Sequence, residues 1–260
     1  MEFHSIEDFL DSLQVPASCV LNKPVYKKMF LDAGALDAAD KACLKDDVNK
    51  IRWLYSLKPN TINISPYKDN LREYEEVAIL LVELVSLKGV KRIAHFMQRS
   101  IPYPLVLIFT DTSDGDDCLC ISLADKRVNQ ADKEKWVIED SIQTDWIRLK
   151  SQPIADGAFL QSLSINNLSF KNFWEFYRSL IDRVIALNCA EHSGSFMIEY
   201  GEGKSGTDRL AKLKELERLE FQKAELANKL SSEKQMGRKI DLNTKIKQIK
   251  DQMTAIKGSL

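Results

Sequence analysis

Four charged side chains come nearest to a catalytic set in this sequence: Glu83, Asp111, Asp125 and Lys126. Restriction-type nucleases place one acid at a strand end and an acid-x-Lys on the next strand. The acids hold Mg²⁺, which activates water and bears phosphate charge. Here Asp111 closes one predicted strand and Lys126 closes its hairpin partner. The position two before the lysine is Ala124, where this chemistry needs an acid. Asp125 falls on the opposite face of a strand from Lys126. The set is incomplete and predicts, at most, a Mg²⁺-dependent nuclease with a degenerate site. Tyr103, Lys126 and Arg127 form a second group. An arginine beside an aromatic ring can grip a phosphate or a base. These three therefore predict a rim for nucleic acid or a partner, with a charged hairpin end as the plainer reading.

Other chemistry is thin. The three histidines, His4, His95 and His192, have no metal-ligand spacing on one element. No G-x-S-x-G, P-loop or G-x-G-x-x-G is present, which excludes the nucleophile elbow and the phosphate cradle. The five cysteines are scattered with no C-x-x-C, so neither a zinc site nor a disulfide framework is expected. Cys118 and Cys120 share a strand face and read as small buried hydrophobes. No cofactor is implied.

The elements that must position these residues follow from periodicity. Ser5 to Leu13 predicts a helix stopped by Pro16. Pro24 then sits just inside a second helix, which Asp32-Ala33-Gly34 closes. A third helix is predicted from Asp37 to about Leu57, with Leu44, Val48, Ile51 and Leu54 or Tyr55 at helical spacing and Asp37 as N-cap. Residues 1–60 thus read as a helical N-terminal unit, and residues 61–191 as the body. Thr61 to Ser65 suggests a short strand and Tyr67 to Glu73 a loop. The apolar run Val77 to Val85 suits a strand buried on both faces. Val90, Ile93, Ala94 and Met97 predict the inner face of a helix over Gly89–Arg99. Ile101-Pro102-Tyr103-Pro104 is a stiff elbow, because each proline forces its predecessor toward extended geometry. It launches a strand, Leu105 to Thr110. A turn over Asp111–Asp117 and a strand from Cys118 to Leu123 complete a hairpin. Trp136–Ile138 and Asp145–Leu149 read as further strands. Ser169 caps a helix to about Ala190, whose aromatic stripe covers the sheet. The fold class is α/β: a mixed sheet with a helix on one face.

Residues 192–206 contain four glycines and read as a linker. Beyond it, residues 207–257 are rich in helix formers. Leu242, Ile246, Ile249, Met253 and Ile256 form a coiled-coil seam, and Leu216, Leu219, Leu226 and Leu230 form a second one out of phase. Ser232 with Gln235 predicts a capping box that restarts the helix, so the tail is a hairpin or a kinked pair. An apolar stripe must be buried against something. The candidates are the chain's own body, a second copy or another protein, with Leu226, Leu230, Leu242, Ile246, Ile249, Met253 and Ile256 as the interface.

Apolar residues at 44% and charged residues at 29% describe an ordinary globular protein. The net charge of −1 hides an asymmetry, because residues 207–257 carry 13 basic against 8 acidic side chains. A basic arm on an acidic body could contact nucleic acid or an acidic partner. The interleaving of its positives with glutamates also fits a plain solvated surface. No secretory signal or membrane-length apolar run is read, which suits a reducing cytoplasm.

Several segments together carry a family resemblance. They are Lys41, Ile51-Arg52-Trp53-Leu54-Tyr55, Leu57-Lys58-Pro59-Asn60-Thr61, Ile101-Pro102-Tyr103-Pro104, Lys126-Arg127, Trp146 and the tail stretch Glu233 to Asn243. With them the chain resembles an uncharacterised bacterial family carried under a domain-of-unknown-function label. The resemblance runs across nearly the whole chain. It implies neighbours that are helicases and DNA methyltransferases in restriction-like or phage-defence gene clusters, and no catalytic residues. The resulting expectation is a non-enzymatic accessory or adaptor subunit that assembles through its tail. A nuclease and a nucleic-acid-binding module are the alternatives.

Overall fold

The computed structural model describes residues 3–32, 36–111, 117–132, 136–198 and 205–260. In chain order it contains α1 (Ile6–Ser12), β1 (Val20–Pro24), α2 (Lys27–Asp32), α3 (Ala38–Asp46), β2 (Val48–Leu57) and the single turn α4 (Pro59–Ile62). There follow β3 (Tyr67–Lys68), β4 (Glu73–Tyr74), β5 (Val77–Leu84), α5 (Val90–Ser100), β6 (Leu105–Asp111), β7 (Cys118–Val128), β8 (Trp136–Gln143) and β9 (Ile147–Arg148). The chain then runs through α6 (Ile154–Ser162), α7 (Phe173–Ser193), α8 (Ser205–Ser232) and α9 (Met236–Lys257). Two units are distinguished, residues 1–184 and residues 185–260, and α7 contributes to both. The fold is a mixed α/β body with a C-terminal helical region.

The first unit is built on one mixed sheet in the order β1-β2-β5-β6-β7-β8, with β9 beside β7. β5 and β6 are parallel, and every other neighbouring pair is antiparallel. A parallel pair needs a crossover, and α5 supplies it. β5 and β6 are buried almost throughout because helices lie on both faces of the sheet. Ala78, Leu80, Val82, Leu105, Leu107 and Phe109 pack with Leu44 of α3 and with Val90, Ile93, Ala94 and Met97 of α5. The alternate residues Ile79, Val106, Ile108, Ile121 and Leu123 meet Phe9 of α1 and Phe176, Leu180 and Val184 of α7. The alternation is the period-two consequence of the pleat.

The helical N-terminal unit expected for residues 1–60 does not stand. β1 and β2 belong to the main sheet, and the predicted third helix ends at Asp46. Its cap is as expected: Asp37 and Asp40 form a reciprocal capping box. Downstream, β2 buries Val48, Ile51, Leu54 and Leu57, every third residue. The register against β5 shifts between Val48 and Lys50 and again between Trp53 and Tyr55. Each bulge inserts one extra residue, and the two together break the period-two alternation that would mark a strand, leaving a spacing that imitates a helix. Pro24 likewise closes an exposed edge strand, where the missing N–H costs nothing, and the next helix starts at Lys27.

Smaller differences have local causes. Thr61 lies in α4, which a left-handed Asn63 terminates at φ 55°. The segment read as a loop contains the β3–β4 ribbon. α7 starts at Phe173, and Asn172 Oδ1 accepts the Glu175 N–H, so Asn172 rather than Ser169 does the capping. The sheet has helices on both faces, not one. The stretches 33–35, 112–116 and 199–204, which held an expected helix stop, a turn and part of the linker, lie outside the described residues. No described helix is long and apolar enough to cross a membrane.

Candidate functional site

The four candidate nuclease residues are split between two ends of the sheet. Glu83 is in register with Thr110, so it lies at the same end as Asp111. Asp111 pairs with Cys118, and Lys126 lies eight residues farther along β7. At about 3.3 Å per residue the two are about 26 Å apart. Glu83 Oε1 is 3.8 Å from Arg52 Nε. Asp125 and Lys126 project to opposite faces, as the pleat predicts. Among the described residues no group of three or more His, Cys, Asp or Glu is arranged to hold a metal ion. All five cysteines are free, and burial pushes the Cys120 thiol up to about 12.

Lys126 is one of the least exposed side chains, at 1%. Its Nζ donates to the carbonyl of Ile101 at 2.7 Å and to that of Tyr103 at 2.9 Å. The lysine therefore pins the proline elbow from beneath. The Pro104 carbonyl accepts the Ala78 N–H of β5 at 3.1 Å, while the Ile101 and Tyr103 carbonyls are reached by this long side chain. Burial alone pulls the amine down to about 7. Tyr103 rests against Trp53 with ring centroids 5.9 Å apart. Above the elbow lies a groove of about 480 Å³ between Pro59, Pro66, Pro102, Tyr103 and Trp136, edged by Lys58 and by Glu73, Glu75 and Glu76.

Asp125 and Arg127 face the other side of β7. Arg72 Nη2 donates to Asp125 at 2.9 Å and to Glu139 at 2.7 Å, while Arg127 Nε donates to Glu139 at 2.8 Å. The Arg72 guanidinium also lies 4.6 Å from the Trp174 ring centroid, a cation–π geometry. Tyr74 hydroxyl accepts the Lys126 backbone N–H at 3.3 Å and lies 3.2 Å from Asp125 Oδ1. Tyr103 and Lys126 are thus brought together, as the expected rim required, but Arg127 is not. The lysine contacts the backbone of Tyr103 and is buried, so the three do not form a phosphate-gripping rim.

In the second unit, α8 and α9 pack as a helical hairpin. Leu216, Leu219 and Met253 are buried against each other, with Ile249, Ile256 and Leu260 beside them. Arg209 Nη1 donates to Met197 O at 3.0 Å and Lys212 Nζ to Ser259 O at 2.6 Å, which ties the open end. Toward the turn, the apolar packing thins. Leu226, Leu230, Leu242 and Ile246 are only half-buried, and Phe221, Met236 and Ile240 are exposed. The turn has no Ser232–Gln235 capping box. Ser232 Oγ donates back to Lys229 O, and Glu233 Oε1 accepts the N–H groups of Lys234 and Gln235.

A model of the family described as Domain of unknown function (DUF4391) matches residues 13–253. The chain belongs to this family. No curated protein and no solved structure matches it. Some of the segments that carry the family resemblance, though scattered in sequence, meet in the first unit. Trp53, Ile101, Tyr103 and Trp146 border one core cluster, Lys126 holds the elbow, and Lys58 and Pro59 line the groove over it.

Sequence reasoning missed Arg72, Glu139 and Trp174, which make the second cluster. They are separated by 67 and 102 positions from Arg72, and no local spacing signals their pairing. It also passed over Glu73, Glu75, Glu76 and Trp136 at the groove. The run Glu73-Tyr74-Glu75-Glu76 was the available cue.

Proposed function

We propose that this chain is an accessory subunit that works by holding another protein through the turn half of its α8–α9 hairpin. The observation that carries this reading is the mismatch between the hairpin's length and its own core. Three residues near the open end are buried, while Leu226, Leu230, Leu242 and Ile246 stay half-exposed over the outer turns. A helix pair stabilises itself by continuous seam burial. A seam left half-open keeps apolar surface for a partner, and such patches mark interaction sites. The separation of Asp111 from Lys126 speaks against a metal-dependent nuclease built from the four acidic and basic candidates. The family resemblance suggests the partner class: a helicase or DNA methyltransferase encoded beside this gene in a bacterial defence or restriction-type cluster.

The test is pairwise co-purification of the full-length protein with each neighbouring gene product. Variants Leu226→Asp and Leu242→Asp should lose the partner while keeping the wild-type tryptophan emission of the first unit. The proposal fails if no neighbour binds and the purified protein instead cleaves DNA with Mg²⁺ in a manner abolished by Asp111→Ala.

A further inference from the structure

The positive charge of the C-terminal region is not spread along it. Residues 207–226 hold five basic and five acidic side chains and are neutral. From Lys229 to Lys247 there are six cations, Lys229, Lys234, Arg238, Lys239, Lys245 and Lys247, against Glu233 and Asp241. The net charge there is +4. The expectation of a solvated surface with interleaved signs therefore fits residues 207–226 but not the turn end of the hairpin. The hairpin adds what sequence spacing does not give. Lys229 at the end of α8 is folded back to share one open cleft with Lys234, Arg238 and Lys245. Glu233 is engaged by the turn's own N–H groups, and its nearest cation is Arg238 at 3.8 Å. Among the described residues the five lysines of the set have no ion-pair partner. Exposed like charges this close repel one another and gain nothing from the fold.

We propose that the turn end of this hairpin binds the phosphate backbone of a double-stranded nucleic acid. From Arg238 to Lys247 the cations of α9 extend over about 14 Å of helix at about 1.5 Å per residue, with Lys234 beside them in the turn. A partner must present negative charge at high density over that length. A duplex carries one charge per ~1.7 Å of its axis, which few acidic protein surfaces match. Five of the six cations are lysines, compact charges that neutralise phosphates without the planar fork that reads bases. The contact is therefore independent of base sequence. The lysines lie on the outer turns and the half-open leucine seam lies between the helices, so one hairpin could position a protein partner on nucleic acid.

Fluorescence anisotropy of labelled 20-base-pair DNA and RNA duplexes with the full-length protein tests this. Binding should weaken steeply with salt, and unrelated base sequences should bind alike. The triple variant Lys234→Gln/Arg238→Gln/Lys245→Gln should bind at least tenfold more weakly at 100 mM salt. Its log–log salt dependence should be shallower by about 3, since each lost phosphate contact removes about 0.9. Lys223→Gln, on the neutral stretch of α8, should bind like wild type. Helical circular dichroism establishes that the triple variant is folded, and the milder single variant Arg238→Gln covers the case in which it is not. The proposal is overturned if neither duplex binds, or if the folded triple variant binds as wild type does. Equal displacement of the duplex by poly-glutamate at matched charge would also overturn it, in favour of an acidic protein partner.

Discussion

Lys126→Met should abolish a specific pH dependence of stability in the first unit. The folded-state amine sits near 7 against the ordinary lysine value of 10.5, because burial disfavours its charge. The sign follows from proton counts. Between pH 7 and 10.5 the unfolded lysine holds a proton that the folded one has released, so stability rises with pH across that window. Below pH 7 both states are protonated and the full desolvation penalty remains. Taking those two values, wild type gains about 2.7 kcal/mol from pH 6 to pH 9 through this one group. The carbonyls of Ile101 and Tyr103 favour the charged form and reduce the figure, so about 1.5–2.7 kcal/mol is expected. Methionine keeps the length and removes the titration. Its absolute stability will fall at high pH, because two buried carbonyls lose their donor at about 1–3 kcal/mol each. The decisive quantity is the wild-type minus variant difference at each pH, in which all other titrating groups cancel. All four tryptophans, Trp53, Trp136, Trp146 and Trp174, lie in the first unit, so urea unfolding followed by tryptophan emission reports it alone. A difference that stays flat within about 0.5 kcal/mol from pH 6 to 9 would show that the amine is not desolvated in the native state, and the reasoning about the elbow would fall with it.

Three further substitutions probe the same architecture. Arg72→Met removes the donor to Asp125 and Glu139 and leaves Asp125 part-buried beside Tyr74. The first unit should lose about 2–4 kcal/mol by urea unfolding, with a shifted Trp174 emission. Asp40→Ala deletes half of the α3 capping box and the acceptor of Arg92 and Arg99. A loss of about 2 kcal/mol is expected, and an unchanged urea midpoint would contradict the roles given to these contacts. In the hairpin, Leu219→Ala should cost about 2–4 kcal/mol of cooperative helix melting by circular dichroism, whereas Leu226→Ala should cost under about 1 kcal/mol.

Much of the fold was legible along the chain. Val77–Leu84 reads as a doubly buried strand because every residue is apolar until Glu83, and it is one. α5, the proline elbow, β6 and the first half of β7 follow from local periodicity and from proline's fixed geometry. The C-terminal helices follow from composition and seam spacing. These features are local, so sequence alone settles them.

What the tertiary structure decided is every feature that depends on distant partners. β2 has helical spacing, and only its bulged register against β5 reveals a strand. Lys126 looks like a charged hairpin end, but it is buried because the elbow, 23 to 25 positions earlier, needs donors for two carbonyls. Asp111 and Lys126 each close one strand of a hairpin, and the length of β7 puts about 26 Å between them. Lys229 joins Arg238 and Lys245 only because α8 and α9 fold back on each other. Local sequence fixes backbone preference and side-chain type. Which charges are buried, paired or gathered depends on burial and proximity, and those are set by the assembled chain.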